Sequence, residues 1–215
     1  MDRLQYISTG GSAQQQQAHI QEALDHGATW VQLRWKNATA PLAYFLLAET
    51  VKKLCSTYRA TLIINDQLHI AKEVDADGVH LGLNDSPIAE ARRLLGQYKI
   101  IGGTANTLQD VRQRKQEGCD YIGLGPLRFT TTKEKLSPIL GEEGYRYILN
   151  QTMQEDEQYP PIYAIGGIKL EDLPLLRAIG LHGVAISSTI TEQPHLIPSI
   201  YKTLNQTHEQ FTNSK

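Results

Sequence analysis

Three groups of residues in this chain have types and spacing that could do chemistry. The first is Gln32-Leu33-Arg34-Trp35-Lys36. On a β-strand, alternation puts Gln32, Arg34 and Lys36 on one side. An amide and two cations pointing together suit a polyanion; the competing reading is an exposed alternating edge strand. The second group is Asn65-Asp66 with Asp85, at the ends of two successive strand-like runs. Paired carboxylates without a nucleophile beside them suit a hard cation such as Mg²⁺, which takes one or two carboxylates and completes its shell with water and substrate phosphates. Helix capping competes with that reading, because both Asp residues precede helical segments where Asp is a favoured cap. The third group is Tyr163-Ala-Ile-Gly166-Gly167 and Gly183-Val-Ala-Ile-Ser187-Ser188. Two buried-type strands there end in small residues that open helices, which exposes backbone N–H groups to an anion.

Further candidates lie between these groups. Gly102-Gly103-Thr104-Ala105-Asn106-Thr107 offers Thr104 and Asn106 to a site, with Thr107 as a helix cap. Gly123-Leu-Gly125-Pro126 permits close approach of a ligand and runs into Arg128, Thr130, Thr131, Thr132, Lys133 and Lys135. Long loops on compact scaffolds are lids or mobile segments. A Thr/Lys/Arg lid over a diphosphate is one reading of this loop, and a polar surface excursion is the other. His80 sits inside an apolar run and reads as a satisfied core residue, and the remaining histidines lack metal-ligand spacing.

The elements that must position these residues alternate along the chain. Strand-like runs are predicted at 4–8, 30–34, 61–65, 78–81, 99–102, 121–124, 161–165 and 183–186, rich in β-branched and aromatic residues. Helix-period segments are predicted over 14–26, 42–58, 88–95, 108–117, 142–154 and 170–179, with Gly27, Gly96, Gly118 and Gly180 where helices should stop. Strict alternation without a hairpin signal argues a parallel sheet. Eight units in this length argue closure into a single-domain (β/α)₈ TIM barrel, whose last two loops commonly hold a phosphate. An open doubly wound sheet is the runner-up, but Ser8-Thr-Gly10-Gly11-Ser lacks the dinucleotide-binding spacing. The barrel is expected over residues 1–204, with a frayed polar tail over 205–215.

Composition excludes several classes. With 215 residues, 40% hydrophobic and 20% charged, the chain is an ordinary globular one. A net charge of −2 implies no general attraction to nucleic acid or membrane, so a small anionic substrate needs locally placed cations. The start of the chain has no apolar signal region, and no run approaches the ~20 residues of a membrane span. These features predict a cytoplasmic protein, compatible with a homo-oligomer. The two cysteines, Cys55 and Cys119, read as free structural thiols.

Taken together, from Gln32 to Ile190, these residues resemble the thiamine-phosphate synthase family. The carrying motifs are Gln32-x-Arg34-x-Lys36, Asn65-Asp66, Gly78-Val-His80-Leu-Gly82 running to Asp85, Gly125-Pro126 with Thr130, Thr132 and Lys133, Gly166-Gly167, and Ser187-Ser188. Each is weak alone; in order, at consistent strand ends, they are specific. The sequence departs from the family pattern at Gln67, where Arg is usual, at Leu83, where Gln is usual, and at Thr104-Ala105-Asn106, where Ser-x-His is frequent.

The resemblance implies a Mg²⁺-dependent transferase of thiamine biosynthesis. It would join the diphosphate of a hydroxymethyl-aminopyrimidine to a hydroxyethyl-thiazole phosphate, releasing pyrophosphate. Asp66 and Asp85 would hold the metal, and Arg34, Lys36 and Lys133 would serve as catalytic cations. Gln32, Asn65, Thr104, Thr130, Thr132, Gly166, Gly167, Ser187 and Ser188 would bind substrate. Two rivals stand beside it. A thiazole tautomerase uses the same barrel but lacks the Asn-Asp pair. A non-catalytic phosphometabolite-binding barrel would keep the anion loops without needing Asp66, Asp85 and Lys133 together.

Overall fold

In a computed structural model that describes residues 1–38, 40–129, 138–155 and 158–206, each apolar run pairs with its neighbour in the chain and the last returns to the first. The strands are β1 Leu4–Ile7, β2 Trp30–Leu33, β3 Thr61–Asn65, β4 Gly78–Leu81, β5 Ile100–Ala105, β6 Tyr121–Leu124, β7 Ile162–Ile165 and β8 Gly183–Ile186. All pairings are parallel, from Tyr6 against Val31 round to Tyr6 against Ile186, so the barrel has no edge. That removes the edge-strand reading of Gln32, Arg34 and Lys36. β5 runs three residues further than its sequence pattern predicts and carries Thr104 on the strand itself.

The helices are α1 Ala13–Asp25, α2 Pro41–Tyr58, α3 Leu68–Glu73, α4 Ile88–Leu95, α5 Leu108–Gln116, α6 Gly141–Gln154, α7 Leu173–Ala178, α8 Ser188–Glu192 and α9 Ile197–Asn205. Local chemistry starts two of them. Ser12 caps α1 and Thr107 caps α5, each in a reciprocal box with the residue three positions on. Three helices lie outside the predicted set. α3 and α8 are too short, at six and five residues, to show a period. α9 hides behind Pro194 and Pro198, yet buries Ile197, Ile200 and Leu204 at helical spacing. Cys55 and Cys119 are buried free thiols, as their sequence contexts predict. No helix among the described residues is long and apolar enough to cross a membrane.

The core divides into two because the barrel wall divides it. The larger cluster fills the space between strands and helices, and a smaller one of Trp30, Ile63, Tyr121 and Tyr163 fills the lumen. Trp30, Tyr121 and Tyr163 meet edge to face, with ring centroids 5.0, 5.1 and 5.7 Å apart, a geometry that aromatic quadrupoles favour. These rings fit because glycines face them. Gly102 is in register with Tyr121, and Tyr163 lies between Gly123 and Gly183. A Cβ on Gly102 would stand 2.1 Å from the Tyr121 ring. The aromatic plug closes the floor, leaving the carboxyl ends of the strands as the open end.

The same contact predicts that Gly102→Ala overpacks the lumen. Thermal or denaturant unfolding should show a loss of about 1–3 kcal/mol, and an unchanged midpoint would mean the plug can shift at no cost.

Candidate active site

Above the plug the inward side chains become polar. Gln32, Arg34, Asn65, His80 and Thr104 occupy successive inward positions on β2 to β5 or just past their ends, and they line an open cavity of about 670 Å³. Gly166, Gly167, Ser187 and Ser188 line its far side. A second open cavity of about 920 Å³ adjoins it at Asn65 and is walled by Lys36, Asp66, Trp35 and Tyr44. Trp35 stacks on Tyr44 at 6.3 Å, and the Tyr44 hydroxyl donates to the Leu33 carbonyl, which fixes this wall to β2.

Asp66 and Asp85 come together. Asn65 is in register with His80, and the ladder extends one residue further through Asp66 N–H to the His80 carbonyl at 2.9 Å, so the loops after β3 and β4 are neighbours. Asp66 takes the left-handed backbone region, φ 61°, which Asp tolerates better than most residues. Its carboxyl lies beside that of Asp85. Burial first, then the neighbouring Asp85 carboxyl, raise Asp66 to about 7, while Lys36 and Arg34 pull it down. Helix capping does not account for the pair. Gln67 and Pro87 stand at the caps of α3 and α4, and neither helix has a side-chain cap bond. Asp85 instead accepts from Gly82 N–H at 2.6 Å, closing its own loop. Burial lowers the proton affinity of Arg34, and the charge of Asp66 partly offsets that.

On the opposite side, the loops after β7 and β8 are tied to each other by Thr189 Oγ1 donating to the Ile168 carbonyl at 2.9 Å. Gly166 and Gly167 have φ of 89° and 71°, and a Cβ on either would strike Pro126 or Arg128 at 2.5 Å. Glycine is therefore required by backbone and packing alike. Ser187 Oγ is buried without a hydrogen-bond partner in this wall, an orphan that an anion's oxygen or a protonated ligand group could satisfy.

Of the predicted site residues, Gln32, Arg34, Asn65, Thr104, Gly166, Gly167, Ser187 and Ser188 share the first cavity, Lys36 and Asp66 the second, and Asp85 joins through Asp66. Thr130, Thr132 and Lys133 lie outside the described residues. Asn106 does not face the cavity: it is buried, and its amide donates to the Gly125 carbonyl. Arg128 is not a free lid cation. It grips Asp172 through both terminal nitrogens and donates to the Gly167 carbonyl at 2.6 Å, bracing the glycine loop. Burial raises Asp172, but hydrogen bonds from Arg128 and the Lys169 N–H outweigh it and hold the carboxyl below its usual range. His80 is buried and satisfied, as its apolar context predicts, with one ring nitrogen on Tyr121 and the other on Thr104, each at 3.0 Å, but it also lines the cavity. Its inward register beside Asn65, counted along β4, is the signal that would have found it.

Comparison with known proteins agrees with this fold. A family model described as thiamine monophosphate synthase matches residues 4–190. The thiamine-phosphate synthase of Flavobacterium psychrophilum is 53% identical over 191 residues, covering 89% of this chain and 92% of that protein. The thiamine-phosphate synthase of Bacteroides fragilis is 47% identical over 183 residues, covering 85% and 89%. Among solved structures, the thiamine phosphate pyrophosphorylase of Pyrococcus furiosus superposes with a TM-score of 0.78 at 26% identity, covering 95% of this chain and 97% of that one. Relatives of this similarity over nearly their whole length, and a solved structure with the same barrel, leave one assignment: the chain belongs to the thiamine-phosphate synthase family and is a transferase that makes thiamine phosphate.

Proposed function

We propose that the two adjoining cavities divide the reaction between them. The aminopyrimidine lies against Gln32 and Thr104 in the first, and its diphosphate reaches toward Arg34, Lys36 and the Asp66–Asp85 pair. The thiazole phosphate sits on the opposite wall, on the backbone N–H of Gly167 and Ser188 and on the Ser187 hydroxyl. The carrying observation is the carboxyl pair beside two cations. Such a pair, desolvated and mutually repelling, is poorly stable with both groups ionised unless a cation joins it. Among the described residues no group of three or more His, Cys, Asp or Glu forms a metal cluster. Two carboxylates suit Mg²⁺, which keeps waters and takes oxygens from substrate phosphates. When bound, the ion neutralises the departing diphosphate.

The chemistry is displacement at carbon. The bond from the pyrimidine methylene to the diphosphate oxygen breaks, and its electron pair leaves with pyrophosphate. The electron-rich aminopyrimidine stabilises the resulting benzyl-like cation. The thiazole nitrogen then donates its lone pair to form the C–N bond. This route needs no covalent nucleophile and no strong base. It needs fixed positive charge at the leaving group, from Arg34, Lys36 and Lys133, and a nitrogen held in line by a seated phosphate. Asn65, shared by both cavities, hydrogen-bonds where the two halves meet, and Thr130 and Thr132 add hydroxyls to the substrate phosphates.

Turnover of pyrimidine diphosphate and thiazole phosphate to thiamine phosphate should require Mg²⁺ and stop with EDTA. Asp66→Asn, whose side chain tolerates the same backbone region, should abolish it with the melting temperature unchanged; activity at saturating Mg²⁺ would remove Asp66 from the mechanism. Lys133→Ala should lower kcat/KM at least ~10-fold, as loss of a charge-assisted contact does. A wild-type value would make that loop a bystander.

The raised carboxyl of Asp66 adds a pH dependence. Because Asp66 is raised from 3.8 to about 7, the folded chain holds a proton there that the unfolded chain has released. The stabilisation this pair contributes is therefore full at low pH and is lost as pH rises through about 7. The metal competes with that proton, so Mg²⁺ affinity by calorimetry should climb up to ~10-fold per unit toward about pH 7 and then level. A flat profile would show that no proton on Asp66 is displaced.

A further inference from the structure

The polar layer above the aromatic plug has a direction. The Gln32 amide donates through Nε2 to Gln5 Oε1 at 3.0 Å, and Gln5 Nε2 donates to the Tyr121 hydroxyl at 3.1 Å. With Gln5 donating to it, the Tyr121 hydroxyl has its own proton to give, and the remaining partner among its hydrogen bonds is His80 Nδ1 at 3.0 Å. With Nδ1 accepting, the neutral imidazole carries its proton on Nε2 and donates to Thr104 Oγ1 at 3.0 Å. Thr104 keeps its own O–H to give. At the other end, Gln32 gives an N–H to Gln5, and its Oε1 is left to accept.

Gln5, Gln32 and Tyr121 are almost fully buried and His80 is 5% exposed, so each of these bonds is costly to leave unmade. Space locks the ring as well. A Cβ on Gly123 would lie 3.2 Å from His80 Cε1, so the imidazole packs against bare backbone, and Tyr121 tilts over it with centroids 5.4 Å apart. Gln32 and Thr104 both face the first cavity, whereas Gln5 and Tyr121 do not line it.

We propose that Gln5, Tyr121 and His80 are positioning residues: their directional relay makes Gln32 present an acceptor oxygen and Thr104 a donor hydroxyl to the substrate. That pair is complementary to an aminopyrimidine, whose exocyclic amino group donates to Gln32 and whose ring nitrogen accepts from Thr104. A ring with an oxo group in place of the amino group offers the wrong partner to Gln32. The recognition part rests on the proposed seating of the pyrimidine in this cavity; the direction of the relay does not.

Two measurements test it. Nitrogen-15 NMR of the ligand-free wild-type protein reads the His80 tautomer, with its signals identified by their loss in His80→Gln. A proton on Nε2 and a bare Nδ1 are expected; Nδ1–H, or an even mixture, would overturn the relay whether or not any variant folds. In Tyr121→Phe the tautomer should become mixed. The KM for the pyrimidine diphosphate should rise ~10-fold, as expected for loss of one fixed hydrogen bond, while the KM for the thiazole phosphate stays put. Equal rises in both would show a merely structural role and overturn the proposal. Because the tautomer is read without substrate, the relay can stand while the pyrimidine seating fails: Nε2–H together with an unchanged pyrimidine KM in Tyr121→Phe would separate the two in that way.

Discussion

Closure of eight parallel strands is the constraint on which everything else depends. A closed ladder satisfies every strand's backbone and sends alternate side chains into a lumen without an edge. Apolar rings and glycines fill that lumen at one end, because a small residue must face each large one. Polar side chains are tolerated further along only if they find partners or solvent. The rim is where the inward series meets the loops, and so it is where Gln32, Arg34, Asn65, His80 and Thr104 are brought side by side from positions far apart in the chain.

The two walls of this rim have opposite electrostatic characters. On the β3–β4 side, two carboxyls crowd together at a left-handed residue, restrained by Arg34 and Lys36. Two charges this close repel unless one of them is neutralised. On the β7–β8 side, the local charges are already matched. Arg128 and Asp172 are engaged with each other, and glycine backbone and a buried serine hydroxyl form the surface. In the proposed seating, this difference is what sorts the two anionic substrates between the walls.

Much of this is legible in the chain. Eight strands and six helices follow from alternation and period, and the cap at Thr107 and the helix ends at Gly27, Gly96, Gly118 and Gly180 from local chemistry. The rim residues follow from counting every second position beyond a buried run and from the family resemblance. Other features are not legible, for identifiable reasons. α3 and α8 are shorter than the window in which a period can be seen. Asn106 reads as a rim residue because Thr104 is one two positions earlier, but the chain leaves the strand after Ala105 and turns its amide toward Gly125. Arg128 reads as a lid cation because its partner, Asp172, is 44 residues away. His80 reads as a satisfied core residue, which it is, but its place on the cavity wall is hidden because an apolar run does not show which of its faces is the lumen.

The sequence by itself determined the alternation of elements, the closure of the barrel and the set of chemically capable residues, since these depend on spacing and side-chain type within short windows. Only the tertiary structure decided which of those residues meet. Whether two aspartates cap helices or confront each other, whether a histidine is filler or a link between a tyrosine and a threonine, and which way an amide points depend on distances between separate strands. Through-space contact of this kind is set by register and closure, and no single stretch of chain contains it.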